Sequence, residues 1–153
     1  MTVSILTPTD LDDFKAMLYI FEDVFEMDGF TLPSDHYLST LLQKPHFKAF
    51  IAKVDTVVVG GMTVYILDQY YSSTSQAYLY DLGVARSHQR NGIARVLIET
   101  LKTFCAAHGI EEVFVQADSE DEHARAFYRS TSPSRVSDVV HYTYVVRPSV
   151  NVL

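Results

Sequence analysis

The sequence predicts an α+β domain, a mixed α/β arrangement in which a central mixed β-sheet carries helices on both faces. Three observations lead there. Alternating or β-branched apolar runs interleave with stripes of apolar residues spaced by three and four. The resulting order is β-α-α-β-β-β-α-β-α-β, which layers helices onto a sheet. The chain has 153 residues, 48% of them apolar, which suffices for one core. No repeat, low-complexity tract or linker-like run divides it, so residues 1–153 read as one domain.

Residues 2–6 alternate apolar and polar and predict a first strand. Thr9 then offers an N-cap, and Leu11, Phe14, Leu18, Phe21 and Phe25 form the stripe of an amphipathic helix that Asp28-Gly29 ends. Pro33 and Ser34 open a shorter helix with Tyr37, Leu38, Leu41 and Leu42 inward, closed by Lys44-Pro45. Two β-branched runs, 47–54 and 56–67, flank Asp55 and predict a hairpin with a bulge at Gly60-Gly61. Further strands are predicted over 75–84, 111–117 and 139–146. A helix from about Ile93 to His108 puts Ile93, Leu97, Leu101, Phe104 and Cys105 on one face and stops at Gly109. The last helix starts at Ser119, where Ser119 and Glu122 have capping-box spacing, and runs through Phe127-Tyr128.

The formal net charge of −7 disfavours nucleic acid and suits a cationic partner. No run approaches the roughly 20 apolar residues of a membrane span, and the N-terminus lacks the pattern of a signal peptide. One cysteine, Cys105, agrees with a reducing, cytoplasmic setting. It lies on an apolar helix face, which marks it as core rather than nucleophile. The six histidines show no ligand spacing with cysteines or carboxylates, so no metal is expected.

The chemistry concentrates in Tyr80-Asp81-Leu82-Gly83-Val84 and in Gln89-Arg90-Asn91-Gly92-Ile93-Ala94, which leads into a helix. A glycine-containing turn that starts a helix exposes backbone N–H groups, and with the helix dipole these suit an anion such as pyrophosphate. Arg90 and Arg95 add positive charge in an acidic chain. An ordinary strand-to-helix turn would use the same glycine for geometry alone.

The stretch 89–94 resembles the Q/R-x-x-G-x-G/A signature of the GNAT superfamily of N-acetyltransferases. It follows Leu82-Gly83-Val84, similar to that family's Leu-Ala-Val-like triplet, and precedes Ala124-x-x-Phe127-Tyr128 in the family's order. Within GNAT the chain most resembles the aminoglycoside 3-N-acetyltransferases, through 21–25, Val59-Gly60-Gly61, 78–82, Val115-Gln116-Ala117-Asp118 and the segment around His141. It departs from the wider pattern at Asp121, where many members carry Asn, and at 128–133, where Tyr-Glu-Lys-Leu-Gly-Phe is common. At Thr143 the aminoglycoside enzymes often have an acid.

The resemblance implies a GNAT-like sheet with acetyl-CoA held by Leu82, Gly83, Val84, Gln89, Arg90, Asn91, Gly92, Ile93, Ala94 and Arg95. It implies catalysis at Asp81, which would hold and deprotonate the amine, and at Tyr128, which would protonate the departing thiolate by general acid catalysis. Asp28, Tyr80, Asp81 and Asp118 would contact a cationic amine such as an aminoglycoside, acetylated on its 3-amino group by direct attack on the thioester. A homodimer is also implied. GNAT enzymes for other small amines or protein N-termini, and a CoA-binding module without turnover, stay open as alternatives.

Overall fold

Every predicted element except the last strand forms in the computed structural model, which describes residues 1–147. The order is β1 (Thr2–Ile5), α1 (Leu11–Val24), α2 (Asp35–Gln43), β2 (Phe47–Val54), β3 (Val57–Asp68), β4 (Ser75–Val84), α3 (Ile93–Ala107), β5 (Ile110–Val115) and α4 (Glu122–Ser130). The five strands form one mixed sheet in sequence order, antiparallel from β1 through β4, with β5 parallel to β4. Residues Met1–Ala117 make one compact unit and a second begins at Asp118.

Strand alternation sends the two halves of each strand's apolar residues to opposite faces. Phe47, Ala49 and Ile51 of β2 share a core with Phe14, Met17 and Phe21 of α1 and Leu38 and Leu42 of α2. Phe50 points the other way and meets Phe104 of α3 edge-on at 5.6 Å. The predicted helices on both faces are therefore present in this unit.

Two glycines set the approach of α1. Gly61 and Gly83 pair across β3 and β4. A Cβ on Gly83 would lie 2.9 Å from Phe21, and one on Gly61 would collide with the Met17 sulfur. A bare patch two strands wide thus seats the helix.

Several local expectations shift. Asp10, not Thr9, is the N-cap of α1, and its carboxylate accepts from the Thr7 N–H and hydroxyl, both at 2.7 Å. Phe25 falls just past α1 at its C-cap and is exposed. Ser34 does cap α2, accepting from the Tyr37 N–H at 3.2 Å. The Ser119–Glu122 box does not form: Asp121 caps α4 instead, accepting from the Ala124 N–H at 2.9 Å, because the chain turns two residues later. The hairpin bulge falls at Val59, one residue before Gly60-Gly61.

Residues 139–146 form no strand, and Val139, Val140, Tyr142, Tyr144, Val145 and Val146 are all exposed. A β-prone sequence becomes a strand only when a neighbouring edge accepts its hydrogen bonds, and among the described residues none does so.

Candidate functional site

The site grows from a second bulge, in β4. Thr63 pairs with Asp81 and Val64 with Leu79, which leaves Tyr80 as the extra residue. The bulge keeps Tyr80 and Asp81 on one face of the sheet, the face that carries α1 and α2. The Tyr80 ring meets Tyr65 and Tyr78 edge-on at 5.5 Å each. Tyr65 continues the row to Phe47 at 5.3 Å, and Tyr78 stacks on Phe114 of β5 at 4.7 Å. The Tyr78 hydroxyl donates to Gln116 Oε1 at 3.1 Å. Asp81 thus has tyrosine rings beside it, and Tyr80 is 55% exposed, so the aromatic surface is open to a ligand.

Burial raises the Asp81 carboxyl above its ordinary 3.8, since no cation among the described residues offsets the lost hydration. Desolvation also raises the hydroxyls of Tyr65 and Tyr78, and the charges of Tyr80 and Asp81 push the same way. A half-buried carboxylate among π-faces is an arrangement that attracts an ammonium group. Across the register, Thr63 is buried at 7% exposure and its hydroxyl has no protein partner among the described residues.

Beyond the bulge, β4 parts from β5. Their pairing ends at Leu79 with Val115, while β4 runs on beside β3 to Val84. The segment containing Leu82, Gly83 and Val84 therefore has an open edge on the β5 side. Gln89 Nε2 donates to the Val84 carbonyl at 3.0 Å, tying the following turn to the strand end. Gly92 is the N-cap of α3 with φ +79, a left-handed conformation that favours glycine, and the space where a Cβ would stand is open. Arg90 is also left-handed at φ +62. The first α-helical bond of α3 runs from Val96 N–H to the Gly92 carbonyl at 3.1 Å, so the N–H groups of Ile93 and Ala94 precede the helical ladder. Buried Ile93 and Leu97 anchor the turn to the core, while Arg90, Asn91, Gly92 and Arg95 lie at the surface. This cradle fits a pyrophosphate.

The acidic residues separate into roles. Asp28 lines an open hollow of about 410 Å³ with Glu22, Asp23, Glu26, Met27 and Arg86. Arg86 donates to the Asp23 carbonyl at 2.8 Å and to its carboxylate at 3.2 Å, capping the C-terminal end of α1. Asp118 lies in the second unit and accepts from the Glu120 N–H at 2.9 Å, a turn-forming bond. Tyr128, on α4 of the same unit, is half-buried with its ring 5.1 Å from Phe127. Cys105 is buried, and desolvation pushes its thiol up to about 11, as a core residue requires. No group of three or more His, Cys, Asp or Glu side chains among the described residues could hold a metal, and no helix there is long and apolar enough to cross a membrane.

Sequence reasoning missed Thr63, Tyr65 and Tyr78. Thr63 and Tyr65 are the polar-tipped positions in the otherwise apolar 57–67, and period-two alternation puts them on one face. Their convergence on Asp81 depends on the β4 bulge, which no residue type announces.

The chain matches the sequence profile of the Acetyltransferase (GNAT) family over residues 14–131. An aminoglycoside acetyltransferase from an uncultured soil metagenomic sample, solved in complex with sisomicin, is 42% identical. That match covers 95% of this chain and 96% of that one, with a TM-score of 0.94. The same relative has also been solved with trehalose, at a TM-score of 0.93. A second aminoglycoside acetyltransferase from such a sample is 36% identical over 96% of this chain and all of its own, with a TM-score of 0.87. No curated protein matches the chain. The splayed β4 edge, the glycine turn into α3 and these likenesses agree: the chain belongs to the GNAT family of acetyltransferases.

Proposed function

We propose that this acetyltransferase moves the acetyl group of acetyl-CoA onto the 3-amino group of an aminoglycoside, a cytoplasmic reaction that would confer resistance to the drug. The observation that carries this reading is the Asp81 carboxylate, half-buried beside Tyr65, Tyr78 and Tyr80 on one sheet face. Charge attracts the polycation, and flat aromatic surface suits its sugar rings. The 42%-identical relative binds both sisomicin and trehalose, a sugar with no amine, which supports recognition by shape as well as charge.

In this reading Gly92, Ile93, Ala94 and their neighbours hold the pyrophosphate of acetyl-CoA, and the open edge at Leu82, Gly83 and Val84 takes its extended arm. Asp81 binds the ammonium and takes a proton from it. The neutral amine attacks the thioester carbonyl; the C–N bond forms, the C–S bond breaks, and Tyr128 protonates the leaving thiolate. Asp28 and Asp118 contribute further acidic contacts to the drug. The family match over residues 14–131 supports reading residues 1–153 as one catalytic domain. The exposed valines and tyrosines of 136–146 offer apolar surface for a homodimer.

The test is acetyl-CoA consumption against a panel of aminoglycosides, polyamines and peptides, with NMR of the product. Turnover confined to drugs with a free 3-amino group is expected; acetylation at another amine removes the regiochemistry, and turnover of peptides alone removes the substrate class. In single-turnover assays, a Tyr128→Phe rate equal to the parent's would remove Tyr128 from the chemistry.

A further inference from the structure

The sheet ends on an edge that the chain leaves open. β5 pairs with β4 on one side, and no strand among the described residues lies on its other side. It also lacks the cover of an interior strand: β2, β3 and β4 each contain buried residues, while none of Ile110–Val115 is buried. An apolar edge with neither lysine nor proline to blunt it is a template for another strand.

The same chain holds a strand-like segment with no edge. Residues 139–146 read Val-Val-His-Tyr-Thr-Tyr-Val-Val, β-branched or phenolic everywhere except His141. They form no strand, and Val139, Val140, Tyr142, Tyr144, Val145 and Val146 are 69–88% exposed. In extended form each face of this segment would carry two of the valines. Alternation in β5 puts Phe114 on one face and Val113 and Val115 on the other, so either face of an added strand meets apolar neighbours.

The connection into the segment is strained. Ser132 holds φ +57 directly before Pro133, a left-handed conformation that is costly for serine and a position that proline restricts. Strained connections favour exchange of the element that follows between copies. Charge sets the direction. Arg147 follows the segment, and antiparallel addition places it at the end of β5 that begins with Ile110-Glu111-Glu112.

We propose that two copies of this chain exchange their C-terminal segments, residues 139–146 of each adding antiparallel to the open edge of the other's β5. Reciprocal exchange closes at two copies and covers both edges. Six exposed side chains on each arm, with tyrosines at about 150–250 Å² apiece, bring two arms to the order of the roughly 1,200–2,000 Å² that a stable dimer buries. This arrangement rests on the homodimer reading above and supplies its contact. It does not depend on which amine is acetylated.

The experiment follows amide hydrogen exchange by mass spectrometry in the full chain across a dilution series, with light scattering giving the mass at each concentration. Peptides covering 110–115 and 139–146 should exchange about tenfold or more slowly in the dimer, and lose that protection together as it dissociates. Tyr142→Pro and Thr143→Pro each remove one N–H, at adjacent positions. Alternate residues of an edge strand bond to the neighbouring strand, so one of the two variants must break the ladder. That variant should raise the dimer Kd at least about 100-fold, while Thr143→Val stays near the parent. A dimer whose 139–146 peptides exchange as fast as in the monomer overturns the exchange and leaves the homodimer reading standing. So does protection of 139–146 without 110–115, or a dimer that both proline variants retain at parent affinity. A parent that stays monomeric removes both readings, and protection of 139–146 in that monomer would put the strand on its own chain. No acetyl transfer is measured, so failure of the aminoglycoside reading leaves every one of these outcomes unchanged.

Discussion

At Asp81 burial costs the fold stability, and in the proposed function the same carboxylate would serve the site. Its folded carboxyl binds a proton more readily than the ordinary value of 3.8, because burial disfavours the charge. Stability therefore falls as pH rises from 3.8 through the raised folded value, and at neutral pH the whole penalty is present. Asp81→Asn should melt higher than the parent at neutral pH, with the gap closing on acidification, while turnover drops about 10²- to 10⁴-fold. Thermal scans at several pH values check this; an Asn variant no more stable at neutral pH contradicts it. At Gly92 the φ of +79 penalises any side chain, and Asn and Asp tolerate that conformation best. Gly92→Asn and Gly92→Asp therefore share the backbone cost and differ in charge. Acetyl-CoA should bind the aspartate variant about tenfold more weakly than the asparagine variant. Equal affinities by calorimetry would place the pyrophosphate elsewhere.

At the scale of elements, two irregularities in β-structure matter more than the regular strands. The turn from β2 to β3 uses only Asp55 and Thr56, both at positive φ (47 and 71), because Val54 pairs directly with Val57. Such hairpins match the twist of the strands but favour Asn-Gly or Asp-Gly. Threonine is branched at Cβ and strained there. Thr56→Gly should stabilise by about 0.5–1 kcal/mol after glycine's unfolded-state entropy is counted, a Tm rise of about 1–4 °C. A lower Tm would mean the Thr56 side chain makes a compensating contact. The other irregularity, at Tyr80, turns two consecutive residues toward one face and so assembles the site.

At the scale of the whole molecule, the stretch 136–146 exposes apolar side chains and has no strand partner among the described residues. Val136, Val139, Tyr142, Tyr144 and Val146 are each at least 69% exposed. If this surface closes a homodimer, light scattering should give twice the chain's mass, and substitution of Val139, Val140 and Val145 by Ser should return it to the monomer. A monomeric parent at micromolar concentration excludes that role. The sequence by itself determined the order of the elements from β1 to α4 and most of their boundaries, because apolar spacing, Ser34, Gly92 and Gly109 act within a few residues of themselves. It also determined the glycine turn into α3, whose conformation is local backbone geometry. Register is different: whether Thr63 faces Asp81, whether Tyr80 bulges, and whether 139–146 finds an edge depend on hydrogen bonds between distant segments. Only the tertiary structure decided those, since a one-residue shift in pairing carries every later side chain to the opposite face.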